Sequence, residues 1–320
     1  MKNLLKLIIT IAIFVFLFQY IDVAQVFDIV INANVLLLIS AVLLQFTSTY
    51  FAAYRWRLIM QKLVFDEKLS FYIKSYFKGL LFSQVLPGSI GGDAARIIEL
   101  KQNDYSAKEA FYGIFVDRVI GLLGLLILNL IANLLFYGTF PKWLFQLINL
   151  ITLSGIGGFI VLMNIKHIHF LGRFKGLDLF YRLSHRLNEL YASKKLLAYH
   201  LVISMTVHLF SVLAIYSLAV SFGVDLSLQV FLIAVPPIFL LTIVPISLAG
   251  WGVRESAMVG ILMLVGASEA SILSISIIYG LILIITALPG AYFWTTSKKI
   301  TSTELNNLEE TLSKDENNER

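Results

Sequence analysis

The chain contains no cysteine, which removes disulfides, thiolate metal sites and cysteine nucleophiles together. Charge is scarce as well: Asp, Glu, Lys and Arg make up 14% of the 320 residues, against 58% apolar residues and a mean hydropathy of +0.83. That balance lies well outside the range of soluble globular chains, so a bilayer is the natural solvent. The apolar runs do not alternate with polar residues as transmembrane strands do, which disfavours a barrel. No His-Glu-x-x-His spacing occurs among His167, His169, His185, His200 and His208, and no metal or cofactor is expected. Four of these histidines lie in or beside the basic stretch 166–200, where a solvated or interfacial role is the expectation.

Long apolar runs are what the chain does have. Six segments of about twenty residues or more, at about 4–21, 35–54, 109–137, 143–163, 197–221 and 270–294, are each long enough as helices to span about 30 Å of hydrocarbon. The first follows Met1-Lys2-Asn3 and continues into Gln19-Tyr20-Ile21-Asp22 without a small-residue cleavage site, so it reads as an uncleaved helix. Two further segments, 71–86 and 229–244, hold 16 residues each and run into Pro87 and Pro245. At about 24 Å they are short for a crossing. The expected fold is therefore all-α: a polytopic membrane protein of about six transmembrane helices with two re-entrant broken-helix hairpins.

Basic residues orient these segments, because Lys and Arg are retained on the cytoplasmic side. If both short segments return to their own face, Arg55, Arg57, Lys62, Lys68, Lys101 and Lys108 fall inside with the 164–196 loop. That loop carries Lys166, Arg173, Lys175, Arg182, Arg186, Lys194 and Lys195, while only Lys142 is left outside. Both termini are then expected in the cytoplasm, in a cell (inner) membrane. The net charge of +5 is assigned to loops facing anionic lipid, and no nucleic-acid partner is expected. Residues 1–295 form one membrane domain with repeat units at about 1–137 and 143–295, and 296–320 a polar, disordered tail. Between the units, Leu177, Phe180, Tyr181, Leu187 and Tyr191 share a helical face within the 166–195 connector, as a surface-lying amphipathic helix would.

A motif recurs after each short segment. Pro87-Gly88-Ser89-Ile90-Gly91-Gly92-Asp93-Ala94-Ala95-Arg96 and Pro245-Ile246-Ser247-Leu248-Ala249-Gly250-Trp251-Gly252-Val253-Arg254-Glu255 both fit P-x-S-x-x-G-x-x-x-R. Each copy holds the same place in units that start on opposite faces, which is the signature of an inverted repeat. Helix breaks at Pro87 and Pro245 free backbone groups that hydrocarbon cannot satisfy, so they are tolerated only against protein or water. A helix restarting there offers N–H groups to an anion, with Ser89, Gly91, Gly92 and Arg96 in one copy and Ser247, Gly250 and Arg254 in the other as candidate head-group ligands. The competing account is a structural hinge, with Asp93 and Glu255 neutralising the arginines and the serines acting as caps.

Asp117 and Arg118 lie about nine residues into the third span, where charge is costly unless paired or hydrated. Asp117 with a motif arginine, or Arg118 with Asp93 or Glu255, would satisfy them. A proton relay through Asp93, Asp117 or Glu255 and a set of structural ion pairs both fit the pattern. Asn129 and Asn133 fit interhelical hydrogen bonding or pathway lining. Arg55 and Arg57, just past the second span, are expected at the membrane interface.

With Tyr54-Arg55-Trp56-Arg57, the 86–96 motif, Val116-Asp117-Arg118 and Gly250-Trp251-Gly252-Val253-Arg254-Glu255 in this order, residues 4–295 resemble the flippase-like transmembrane domain of lysylphosphatidylglycerol synthases and their stand-alone relatives in bacteria and archaea. The resemblance implies a role in moving a lipid or lipid-linked head group between leaflets, with phosphate-bearing membrane lipids as partners. In the full synthases a downstream soluble domain transfers the aminoacyl group. Here only about twenty polar residues follow Lys299, so the chain is not expected to be an enzyme. A scaffold that recruits a soluble transferase through the 164–196 loop is the alternative.

Overall fold

A computed structural model describes residues 23–85, 90–168, 178–244, 247 and 249–296. The expected first span at 4–21, Pro87, Ser89, Pro245 and the tail beyond residue 296 lie outside the described residues. Among the described residues every regular element is helical. In chain order these are α1 (Val23–Ile31), α2 (Val35–Lys62), α3 (Leu69–Val85), α4 (Ile90–Gln102), α5 (Ala107–Leu135), α6 (Lys142–Asn164), α7 (Asp178–Leu190), α8 (Lys194–Ser221), α9 (Leu228–Ile243), α10 (Val253–Leu262) and α11 (Glu269–Thr295).

Five of them, α2, α5, α6, α8 and α11, are long and apolar enough to cross a membrane, at the five described positions where the apolar runs place spans. The chain is thus a multi-pass membrane protein. Polar caps mark where spans begin: Asn34 accepts from the N–H groups of Leu36 and Leu37, Ser106 from Glu109, and Ser268 from Ser271, each meeting donors that a helix start leaves unpaired. The end of α2 departs from expectation. Arg55 and Arg57 read as the limit of the span, yet the helix runs on to Lys62, because arginine is a good helix former and Arg55 is buried with a counter-charge.

Small and hydroxylic residues bring α2 and α8 together at the centre. Ala41, Ala52 and Ala53 of α2 and Ala214 and Ala219 of α8 are buried, Ser48 Oγ lies 2.9 Å from Ser211 Oγ and donates to the Val207 carbonyl, and Ser217 donates to that of Leu37. Without water, serine-to-backbone bonds and close backbone approach replace the hydrophobic drive of a soluble core. Around this pair, α3 packs on α11 and α9 on α5, while α8 lies against α5 and α2 against α11. The ends of α3 and α4 lie together: Asn103 donates to Glu67 at 2.8 Å, and the Phe65 and Tyr105 rings are 4.8 Å apart.

Helix α9 contains Pro236 and Pro237. Pro237 has no N–H to give the Ile233 carbonyl one turn back, and Asn129 of α5 donates to that carbonyl at 3.0 Å while accepting from Thr152. Asn129 therefore ties three helices. In the connector, Leu183, Leu187 and Leu190 of α7 are buried with Tyr191, whereas Phe180 is exposed. The buried stripe is centred one turn beyond the expected one, because α7 rests on the ends of α5 and α6.

Candidate functional site

Helices α3 and α4 meet at glycines. A side chain at Gly92 would strike the Gly79 carbonyl and the Ser83 hydroxyl, so the two backbones touch and Arg96, one turn on, is carried into the bundle. Its guanidinium packs against the rings of both Trp56 and Tyr76, 3.9 and 4.9 Å from their centroids, as cation–π attraction favours. It reaches Asp117 and Asp93 only at 3.4 Å each, and among the described residues its Nε has no hydrogen-bond partner although Arg96 is 6% exposed.

Asp117 is held by a second arginine. Arg55 donates from Nε to Asp117 Oδ1 at 2.9 Å and from a terminal nitrogen to Ser204 Oγ at 3.0 Å. Arg118 pairs with the other oxygen of Asp93. Among the described residues, three guanidinium groups against two carboxylates leave one positive charge in excess in this cluster. Arg55, expected at the interface, is instead 4% exposed within this cluster: its charge is tolerated at that depth because Asp117 faces it. Arg57 is half-buried, and its Nε lacks a partner.

Arg55, Arg96, Asp117 and Arg118 of this cluster line a cavity of about 370 Å³. Arg55, Arg96, Asp117, Arg118, Tyr76 and His208 supply its polar lining; Phe115, Leu122, Leu125, Val207 and Ile243 are among its apolar walls. Arg118, with 38% of its side chain exposed, is the most open member of the cluster. A lining of arginines together with apolar side chains suits a molecule with an anionic head and a hydrocarbon tail.

The second motif copy is organised differently. Arg254 gives both Nε and Nη2 to Glu255 Oε1, at 3.1 and 2.6 Å, and Ser276 Oγ donates to the same oxygen at 3.0 Å. Glu255 Oε2 accepts from the Gly252 N–H, closing the α10 N-terminus as a capping residue does. Gly250 and Gly252 take φ of 80° and 83°, the left-handed region that favours glycine. Ser247 is buried, and its hydroxyl has no partner among the described residues. Arg254 lies under Trp251, 4.7 Å from its centroid, and is absent from the cavity that Arg96 lines. The motif arginines therefore occupy separate clusters, one with surplus charge at a cavity and one locally neutral, where the repeat alone suggested a shared pocket. Gly91 stands half-buried on α4 beside Gly92.

The model of the family described as lysylphosphatidylglycerol synthase TM region matches residues 3–290. The chain belongs to that family. Comparisons with curated proteins and with solved structures found no match. Within this family member, the cluster includes groups that the sequence pattern did not single out for the site: Trp56 and Tyr76 around Arg96, Ser204 on Arg55, and His208 in the cavity wall. Trp56 lay in plain view between Arg55 and Arg57. His208 gave no signal, since a lone histidine in an apolar run has no diagnostic spacing. Nor is His200 solvated as expected, being fully buried with Nδ1 3.0 Å from the Tyr191 hydroxyl.

Proposed function

We propose that this protein moves or presents a phosphate-bearing lipid across the membrane, with the head group held by Arg96 and Arg118 and the acyl or prenyl chain against the apolar wall. The observation that carries this reading is the cavity lined by Arg55, Arg96 and Arg118, whose three charges are offset only in part by Asp117 in the lining and Asp93 beside it, with the buried Arg96 Nε lacking a partner among the described residues. A singly charged phosphate there would cancel the excess and accept from forked guanidinium donors, a geometry arginine is suited to. Phosphatidylglycerol and polyprenyl phosphate-linked lipids both fit, and the proposal assigns no enzymatic step to the chain.

An inverted repeat with two re-entrant hairpins belongs to this proposal. Its support is the reciprocity of the packing: α3 on α11 mirrors α9 on α5, α2 on α11 mirrors α8 on α5, and α4 on α5 mirrors α10 on α11, with α2 against α8 at the centre. Contact between the ends of α3 and α4 supports a hairpin that enters and leaves by one face. Such arrangements let two halves rock about a central site. Cytoplasmic termini in a cell membrane follow from the basic loops.

The test is leaflet exchange in proteoliposomes, using fluorescent phosphatidylglycerol and fluorescent polyprenyl phosphate. Losing a charge-assisted bond of about 1.5–3 kcal/mol, Arg96→Ala and Arg118→Ala are expected to slow exchange by about tenfold or more with unchanged chain yield. Wild-type rates in both variants, in an assay where the protein works, would overturn the site.

A further inference from the structure

His208, on α8, projects into the same cavity wall and makes one protein hydrogen bond, from Nε2 to the Gly121 carbonyl at 2.9 Å. A carbonyl oxygen only accepts, so Nε2 carries the hydrogen, and the neutral ring then has a lone pair on Nδ1. Among the described residues no donor meets that lone pair. The charged and titratable groups that share the cavity are Arg55 from α2, Tyr76 from α3, Arg96 from α4, and Asp117 and Arg118 from α5. From α9 the cavity receives Ile243, and no titratable group of α11 lines it. With the cavity empty, the excess guanidinium charge opposes a further positive charge on His208. A phosphate among the arginines cancels that excess and places negative charge in a poorly screened space, where it favours the protonated imidazole.

We propose that head-group binding and protonation of His208 are coupled, so that the anionic lipid enters the cavity together with a proton taken up at Nδ1. Protonation adds a hydrogen at Nδ1 and leaves the Nε2 bond to Gly121 in place; no covalent bond to the lipid forms. The coupled proton gives the protein a means of drawing on a proton gradient, which the arginine cluster alone does not provide. The inference rests on the lipid-phosphate reading above.

The experiment uses the full chain in nanodiscs of phosphatidylcholine, titrated with short-chain phosphatidylglycerol, whose single negative charge is constant over the range, from about pH 8 to about pH 5.5 around the ordinary histidine pKa. The apparent Kd is expected to fall by about tenfold for each pH unit over the window in which one proton is bound. Calorimetry in two buffers of different ionisation enthalpy should show uptake of close to one proton per lipid in the middle of that window. His208→Gln, which keeps an amide donor for Gly121, is expected to flatten the pH dependence, while His200→Gln keeps it. A wild-type Kd that does not change with pH, or a slope that persists in His208→Gln, overturns the coupling and leaves the lipid site standing. Absence of lipid binding at every pH overturns the site and the coupling together.

Discussion

Asp117 accepts from two arginines of different helices, Arg55 and Arg96, and so decides whether both cations can stay buried. Removing one partner of a buried ion pair costs about 3–5 kcal/mol, because the remaining charge is left without compensation. Asp117→Asn is therefore expected to lower resistance to unfolding in detergent by an amount of that order. Arg55→Gln added to it should recover part of the loss, since fewer uncompensated charges remain. A melting temperature equal to wild type for Asp117→Asn would show that water or lipid, and not this carboxylate, supports the arginines. Much at this scale was legible in the chain: an Asp-Arg pair inside a span must be paired, and the two pairings that formed, Asp117 with Arg96 and Arg118 with Asp93, were among those the sequence allowed. The role of Arg55 was not legible, because an arginine at the end of an apolar run reads as a boundary until a counter-charge from another helix is placed beside it.

At the scale of elements, the proline pair of α9 and the glycines where α3 meets α4 do opposite work. Pro237 opens a carbonyl that Asn129 closes. Asn129→Leu is expected to cost about 0.5–2 kcal/mol, as for other side-chain hydrogen bonds between membrane helices. In a Pro237→Ala background that cost should shrink, because alanine returns the N–H that Ile233 lacks. A double-mutant cycle in detergent unfolding measures the difference, and equal costs in both backgrounds would refute the pairing. Gly92, by contrast, admits the α3 backbone. Gly92→Val is expected to push α3 from α4 and to draw Arg96 away from Trp56 and Tyr76, read as a loss of lipid exchange exceeding that of Arg96→Gln. The Pro and Gly positions were visible in the sequence as breaks and restarts. Their partners were not, since neither Ile233 nor Gly79 carries a mark of what it will meet.

For the whole molecule, the missing cysteines are an advantage, because any introduced thiol is unique. Gly138, in the turn between α5 and α6, and Ser193, just before α8, are both exposed and lie at opposite ends of the spans. With an impermeant maleimide on intact cells, Gly138→Cys is expected to react and Ser193→Cys to react only after permeabilisation. The reverse result would invert the topology, and equal labelling would deny that α6 crosses. Across the centre, Ser40 Oγ and Ser217 Oγ are 2.5 Å apart. The pair Ser40→Cys with Ser217→Cys is expected to cross-link α2 to α8 while lipid exchange continues, because in the proposed repeat these helices meet at the axis about which the halves would rock. Exchange abolished by this cross-link and restored by reductant would place the motion between α2 and α8 instead.

The all-helical membrane architecture, the five described spans and the paired motif came from properties local to the chain: run length, charge placement and the spacing of proline, glycine and arginine. Bilayer thickness and the cost of buried charge act on each segment separately, so these could be read without knowing its neighbours. Only the tertiary structure decided that Arg96 borders a cavity with charge to spare while Arg254 is neutralised by its own neighbour, that Arg55 is buried, and that His208 faces the same space. Those outcomes depend on which helices touch, through contacts that a one-dimensional pattern does not encode.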